Sequence, residues 1–259
     1  MNEIAVNAPN RWRLETPGAE GWARSARADA PRKYFMVSAD CHANEPVDLW
    51  LTRIDKKYHA RLPHVITDKD GGQWRVSEGH RPDRLRLSTL EGEDALRNKS
   101  GATAPGRLAD HDADGIDVEL MFPNKGLAMW ATPDAEFAMA QCRAWNEWAF
   151  ETFAGHGERI IAAGALATAD LEGSIAEVRR LAKLGARCLT LPCKPVWGGH
   201  DVDHVNYNLP HFDRLWAAIQ DADLPITFHV STGRDPRAAR GNGGAVVNYV
   251  SHSLAPTIE

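Results

Sequence analysis

From residue 34 onward, short apolar runs alternate with longer segments whose apolar positions recur at the spacing of an amphipathic helix. The runs predict strands at 34–39, 118–122, 160–166, 187–191 and 225–230. The periodic segments predict helices at 107–114, 133–156, 170–184, 209–223 and 243–258. Because the runs hold few polar positions, we expect strands that are buried on both faces of a parallel sheet. Strands that alternate with helices fit either a (β/α) barrel or an open doubly wound sheet.

Glycine, proline and one aspartate mark the ends of several predicted elements. Asp170 is predicted to cap the helix that follows it, because a carboxylate at this position accepts hydrogen bonds from free backbone N–H groups. Gly115 is predicted to close one helix as a C-cap residue, and Gly185 is predicted to end another. Pro123 and Pro192 are predicted to end strands, since proline lacks the N–H group that strand pairing requires.

Two segments fall outside the strand–helix pattern. Residues 1–33 mix Arg, Asp, Pro and Gly without the apolar stretch of a secretory leader, so we expect a flexible N-terminal arm. Residues 34–259 are predicted to form one barrel-type domain, with an irregular insertion at about 44–106. Within this insertion, 64–76 surrounds an Asp-Gly-Gly turn and predicts a hairpin. The part from 81 to 106 is charged and shows no period.

The composition is that of an ordinary globular protein, since 43% of the 259 residues are hydrophobic and 25% are charged. With 30 basic and 35 acidic side chains, the net charge of −5 argues against nucleic acid as a partner. No apolar run approaches the roughly 18 residues that a membrane span needs. The four cysteines form no CxxC pair and no disulfide pattern. We therefore expect reduced thiols and a cytoplasmic location.

Three side chains of metal-binding type are predicted at the carboxyl ends of two strands. Asp40 and His42 follow the first strand and, being two residues apart, project to the same side of an extended chain. His229 lies at the same end of the last predicted strand. A carboxylate and two imidazoles suit a divalent cation, and three ligands leave a position for water or substrate. We expect Asp40, His42 and His229 to be both the metal ligands and the catalytic residues of one site.

Several other side chains are assigned roles around this site. The predicted contacts to a small-molecule substrate are Trp50, His204 and Asn208. A solvated loop is the alternative for the last two. Glu45 is predicted to orient a ligand histidine. Cys41 alternates with the ligands, so we expect it to fill space in the wall behind them, and His111 is expected to be exposed on a short polar helix.

Three stretches resemble motifs of the amidohydrolase-related family, in the branch that includes the aminocarboxymuconate-semialdehyde and resorcylate decarboxylases. They are Val37–Pro46 (VSADCHANEP), Arg107–Asp117 (RLADHDADGID) and Leu224–Gly233 (LPITFHVSTG). The resemblance extends over roughly residues 34–259. It implies a TIM-like (β/α) barrel with one divalent metal, zinc first and manganese as the alternative. It also implies that Asp40 and His42 are ligands from the first strand, where many relatives have two histidines, and that His229 is a ligand from the fifth.

Relatives in this branch continue for about three more strand–helix units, which supply a further histidine and an aspartate for the active site. The resemblance therefore implies a barrel that is truncated after about five units. The main hypothesis is hydrolysis or non-oxidative decarboxylation of a small carboxylated or carbonyl-containing substrate. Two alternatives stay open, a catalytically impaired fragment of a barrel and a metal-free α/β binding module. We expect a homodimer, with neither nucleic acid nor membrane as a partner.

Overall fold

The computed structural model describes residues 36–80, 82–85, 90–193 and 207–229 of the chain. Within these residues the strands are β1 (Val37–His42), β2 (His64–Thr67), β3 (Gln73–Val76), β4 (Asp83–Arg84), β5 (Val118–Phe122), β6 (Ile160–Ala162), β7 (Gly164–Ala165), β8 (Leu189–Pro192) and β9 (Ile226–His229). The α-helices are α1 (Leu49–Arg53), α2 (Gly92–Ser100), α3 (Ala104–Asp114), α4 (Ala135–Thr152), α5 (Leu171–Lys183) and α6 (Asp213–Asp221). Short 3-10 helices span Lys56–Arg61, Lys125–Trp130 and Pro210–Phe212. The described residues divide into two compact units.

The first unit is built on a three-stranded parallel sheet with the order β1-β5-β6. It comprises residues 36–44, 90–122 and 152–162. Helix α3 begins after Thr103, whose hydroxyl accepts a hydrogen bond from the Gly106 N–H at 3.3 Å, and it ends at Gly115. The Asp117 carboxylate accepts a hydrogen bond from the Met36 N–H at 2.9 Å. This contact holds the start of β1 beside the start of β5.

The second unit contains an antiparallel sheet, β2-β3-β4, and a parallel sheet, β7-β8-β9. It comprises the described residues within 45–89, 123–151 and 163–229. One face of α5 and one face of α6 join the strands in an apolar core that contains Leu166, Ile175, Val178, Leu181, Leu189, Leu191, Phe212, Leu215 and Ile219. Burial of these side chains is the main source of stability for this unit.

Many of the predicted boundaries are confirmed. Strand β5 covers the predicted range and ends before Pro123. Helix α5 follows Asp170, whose side chain accepts a hydrogen bond from the Gly173 N–H at 2.9 Å. Gly115 and Gly185 follow the ends of α3 and α5, as predicted, and their φ angles of 75° and 83° are in the left-handed region that favours glycine. The predicted hairpin is the pair β2–β3.

Other expectations about the elements were wrong. Strand β1 continues to His42 and is largely exposed, with Val37 52% exposed, whereas a buried strand ending at residue 39 was expected. The apolar run at 160–166 is divided at Ala163 into β6 and β7, which pair in different sheets. Strand β4 and helix α2 lie in the segment that showed no period. Helix α6 starts at Asp213, later than predicted, because a 3-10 turn precedes it.

The parallel strands confirm an α/β fold. Closure into a barrel stays a prediction. The predicted arm at 1–33 and the predicted helix at 243–258 lie outside the described residues. None of the helices in the described part of the chain combines the length and the apolar character that crossing a bilayer requires.

Candidate metal centre

Asp40 lies at an irregularity in β1 that the apolar pattern did not predict. Ser38 pairs with Glu119, whereas Cys41 pairs with Met121, so β1 has one more residue than β5 over this stretch. This arrangement is a β-bulge, and bulges next to functional sites change the direction of side chains. The direction of Asp40 is therefore set by the bulge as well as by the alternation of the strand.

The side chains of Asp40 and His42 meet at the carboxyl end of β1. The Asp40 Oδ1 atom lies 3.4 Å from the His42 Nε2 atom. The Asp40 side chain is 76% exposed and that of His42 is 31% exposed, and the His42 ring lies 6.2 Å from the Phe122 ring between centroids. Neighbouring ligand atoms around a tetrahedral zinc ion are roughly 3.3 Å apart. This oxygen and this nitrogen therefore fit two positions around one divalent ion, and an oxygen–nitrogen donor set suits zinc or manganese.

His229 belongs to the second unit, where it ends β9. It pairs with Pro192 of the parallel strand β8, and its carbonyl accepts a hydrogen bond from the Cys193 N–H at 3.2 Å. The imidazole is thus held at the carboxyl end of a parallel strand. Enzymes with parallel sheets place their functional side chains at this end.

A buried ionic cluster lies behind β1 in the first unit. The Glu119 carboxylate is 1% exposed and accepts two hydrogen bonds from Arg107, at 2.6 and 2.5 Å. The His111 Nε2 atom lies 3.2 Å from the same carboxylate. Burial alone would raise the pKa of Glu119, but the hydrogen bonds and charge of Arg107, with the charge of His111, hold this pKa below its ordinary value. Glu119 is therefore an ionised carboxylate in the interior.

The expectation that His111 is exposed was wrong, because its side chain is buried against Glu119. Cys41 also differs from the expected apolar filler. Its thiol donates a hydrogen bond to the Ser38 hydroxyl at 2.9 Å and lines a cavity with Arg107 and Glu119. Burial, as the largest cause, raises the pKa of Cys41. The thiol is therefore a poor candidate for a thiolate ligand.

Glu45 has a different role from the predicted one. Its Oε1 atom accepts hydrogen bonds from the N–H groups of Asn124 at 2.7 Å and Gly126 at 3.1 Å. Its Oε2 atom accepts from the N–H of Lys125 at 3.2 Å, and its carbonyl accepts from the Lys125 ammonium at 2.6 Å. Both carboxylate oxygens therefore bind backbone at the start of the 3-10 helix, and Glu45 anchors this turn rather than a histidine.

Trp50 lines a cavity of about 600 Å³ in the second unit. Its indole N–H donates to the Gln141 carbonyl at 3.2 Å, and buried Leu62 and Met129 line the same space. The lining residues that can carry charge are His59, His64, Arg75 and Lys125. None of the described lining residues is acidic. The cavity has the size of a small-molecule site, with apolar walls and basic groups.

The two other predicted substrate contacts lie after β8. Asn208 is exposed in the turn before the 3-10 helix at Pro210–Phe212, and His204 lies outside the described residues. The neighbouring Tyr207 is anchored, because its hydroxyl donates to the Pro192 carbonyl at 2.7 Å. Burial raises the pKa of Tyr207, which keeps this phenol protonated. Tyr207 therefore holds the turn that carries Asn208.

Carboxylate and imidazole side chains at the carboxyl ends of parallel strands are typical of metal-binding α/β proteins. This chain belongs to the amidohydrolase family, whose sequence model matches residues 39–252 and whose fold is the TIM barrel. The resemblance seen in the three sequence motifs is thereby confirmed. No curated protein matched the chain.

Solved structures show the same fold at low sequence identity. An amidohydrolase from Mycobacterium avium subsp. paratuberculosis has a TM-score of 0.63 at 24% identity, over 76% of this chain and 59% of its own. The 2,6-dihydroxybenzoate decarboxylase from Rhizobium has a TM-score of 0.51 at 18% identity, over 83% and 54%. A manganese-bound 5-carboxyvanillate decarboxylase from Novosphingobium aromaticivorans has 0.50 at 17% identity, over 85% and 56%. The chain thus spans little more than half the length of these proteins.

Proposed function

We propose that the protein is a metal-dependent enzyme that hydrolyses or non-oxidatively decarboxylates a small carboxylated or carbonyl-containing molecule. Asp40, His42 and His229 would hold the divalent ion. The observation that carries the proposal is the pair at the β1 bulge, where a carboxylate oxygen and an imidazole nitrogen lie 3.4 Å apart. Membership of the amidohydrolase family and the decarboxylases among its structural neighbours support an enzyme of this class.

The chemistry divides between the ion and the chain. A bound divalent ion polarises a substrate oxygen, which assists hydrolysis by water, and it also orients a carboxylate for decarboxylation. Asp40 is exposed, so its carboxylate remains accessible to an ion that arrives from solvent. His42 is more enclosed than Asp40, with Phe122 nearby, so its imidazole has less room to rotate than the Asp40 carboxylate. A ligand of restricted rotation loses less entropy when the ion binds.

Trp50, His204 and Asn208 are the proposed substrate contacts. Support comes from the cavity that Trp50 lines, because its apolar walls suit the body of a small unsaturated or aromatic molecule. Lys125 and Arg75 among the lining residues favour an anion over a cation. These properties favour a carboxylated substrate over a neutral one.

One alternative function also has an observation in its favour. A metal-free binding module would use the Trp50 cavity without any chemistry at Asp40 and His42. Such a module would melt at the same temperature with and without a chelator. An ion that binds only the folded protein must instead raise its stability.

The test is the metal content of the purified chain after exposure to zinc and to manganese, measured by plasma mass spectrometry. We expect about one equivalent of metal and a melting temperature that falls when a chelator is added. His42→Ala and His229→Ala should each lose the metal. His156→Ala, which alters a histidine outside the ligand set, should keep it. Wild-type protein without metal, or His229→Ala with a full equivalent, would contradict the proposed site.

A further inference from the structure

Arg107 of α3 connects the interior of the first unit to the backbone of a proposed metal ligand. Its Nε and Nη2 atoms donate to the Glu119 carboxylate at 2.6 and 2.5 Å. Its Nη1 atom donates to the carbonyl of His42 at 3.2 Å and to the carbonyl of Gly101 at 3.3 Å. Because a guanidinium group is planar and rigid, these acceptors are held in a fixed arrangement.

Most of the cluster is buried, and its members Arg107, His111 and Glu119 also line the cavity that contains Cys41. The side chain of Arg107 is 11% exposed and that of Glu119 is 1% exposed. His111 packs against the same carboxylate from the next turn of α3. A largely buried arginine that is paired with a buried carboxylate exchanges its partners for water less readily than an exposed arginine, which favours its contact with the His42 carbonyl.

The hydrogen bond between Arg107 and the His42 carbonyl lies next to an irregular part of β1. The pairing of β1 with β5 is irregular between Ser38 and Cys41, so the ladder alone fixes this stretch less tightly. Regular pairing resumes with Cys41 opposite Met121 and His42 opposite Phe122, and the Ala43 N–H donates to the Phe122 carbonyl at 2.8 Å. Arg107 binds the carbonyl of His42, which follows the irregular stretch directly after Cys41.

We propose that Arg107 is a positioning residue of the metal centre, which fixes the His42 backbone and thereby directs its imidazole toward the ion. Glu119 and His111 in turn fix the guanidinium. The inference rests on the proposed function, because it requires a metal at His42. Groups that support metal ligands in this way typically change metal affinity by about 10- to 100-fold when they are replaced.

Arg159 provides a matched control in the same unit. Its Nε and Nη2 atoms donate to the carbonyls of Asp117 at 3.1 Å and Ile116 at 3.0 Å, and it forms an ion pair with Asp112 at 2.9 Å. It thus resembles Arg107 in pairing with a carboxylate while bonding backbone carbonyls. Among the described residues, none of the contacts of the Arg159 side chain involves a proposed ligand.

The experiment compares Arg107→Lys with Arg159→Lys in the full chain. Lysine keeps the charge but cannot reproduce the planar fork of arginine, so both variants should unfold at lower urea concentration. Each chelator-treated protein is titrated with Mn²⁺, and free and bound ion are measured by electron paramagnetic resonance. We expect the dissociation constant to rise about 10- to 100-fold for Arg107→Lys. Arg159→Lys should stay within about twofold of wild type, and only Arg107→Lys should alter the spectrum of the bound ion.

Equal affinities in the two variants, whether unchanged or equally weakened, would overturn the positioning role while leaving the metal site intact. Wild-type protein that binds no Mn²⁺ and no Zn²⁺ would instead overturn the proposed function itself. If Arg107→Lys does not fold, Glu119→Gln takes its place. Glutamine keeps the shape of glutamate but forms weaker hydrogen bonds with Arg107, so the affinity for Mn²⁺ should fall about tenfold. Wild-type affinity in a folded Glu119→Gln would overturn the inference.

Discussion

Each unit of the molecule contains a buried, ionised glutamate that is paired with arginine, and the two lie in similar surroundings. Glu119 in the first unit and Glu177 in the second are both 1% exposed. Glu119 pairs with Arg107, while Glu177 accepts hydrogen bonds from Arg180 at 2.9 and 2.6 Å. Burial alone would raise both pKa values, but in each case the arginine is the main group that holds the pKa below its ordinary value.

The two clusters differ in what they hold. The Glu177 carboxylate accepts a hydrogen bond from Asn146, which also bonds the N–H and the carbonyl of Ala165 in β7. That cluster joins two helices to a strand of the core. The Glu119 cluster also joins a helix to a strand, but its Arg107 donates a further hydrogen bond to the carbonyl of His42. The hydrogen bond from Arg107 to the His42 carbonyl therefore connects the Glu119 cluster to the candidate site, whereas the Glu177 cluster connects only elements of the core.

The largest effect is expected when Glu119 is replaced by leucine, which leaves Arg107 buried without its counterion. We expect the free energy of unfolding in urea to fall by about 3–5 kcal/mol. Glu177→Leu should cost less, about 1–3 kcal/mol, because Arg180 is 36% exposed and reaches water more easily. An equal or larger loss in Glu177→Leu would show that the two clusters are not distinguished by burial of the arginine.

Asn146→Ala separates stability from metal binding. Its side chain makes two hydrogen bonds with the Ala165 backbone, at 2.7 and 3.0 Å, and one with Glu177. Loss of these bonds should lower the free energy of unfolding by about 2–3 kcal/mol. Metal affinity, measured by titration of the folded variant, should match that of the wild type. A weaker affinity would contradict the assignment of this cluster to the fold alone.

The low pKa of Glu177 predicts how stability depends on pH. A carboxylate whose pKa is lower in the folded state stabilises the protein fully above its unfolded pKa, which is about 4.3 for glutamate. This contribution disappears as the pH falls through the folded pKa. Glu177→Gln should therefore lose less stability than wild type between neutral and acid pH, as measured by urea unfolding at each pH. Parallel curves for the two proteins would contradict the shift.

The smallest effect is expected at the exposed pair of Glu172 and Arg214, which joins α5 to α6 in the second unit. Both side chains are mostly exposed, so Glu172→Gln should change the free energy of unfolding by less than about 1 kcal/mol. Urea unfolding of this variant calibrates the larger losses. A loss as large as that of Glu177→Leu would show that burial does not explain the ranking.

Local signals predicted much of the fold. Asp170, Gly115, Gly185 and Pro123 act through their own backbone and near neighbours, so the ends of α3, α5 and β5 could be predicted from the sequence. Helix α2 was missed because it begins at Gly92 and six of its nine residues are polar or charged, so it has no apolar stripe. The division of the run at 160–166 depends on which strands pair, and the local pattern does not contain that information.

The candidate site was predictable only in part, for the same reason. The residue types and spacing of Asp40 and His42 indicated two ligands for one metal ion. The β-bulge between Ser38 and Cys41, which contains Asp40, depends on the register of β1 with β5. His111 was assigned to solvent because it lies on a polar helix, and its partner Glu119 belongs to another element. Glu45 was assigned to a histidine, although its partners are backbone groups about 80 residues away in the sequence.

X-ray absorption spectroscopy of the zinc-loaded chain measures directly which atoms bind the metal. Ligation by Asp40, His42 and His229 predicts only nitrogen and oxygen neighbours at about 2.0–2.2 Å, with imidazole scattering from two histidines. His42→Ala, exposed to zinc in the same way, should give no signal from protein-bound zinc, because this variant is expected to lose the metal. A sulfur neighbour at about 2.3 Å would show that a cysteine is a ligand and would contradict the account.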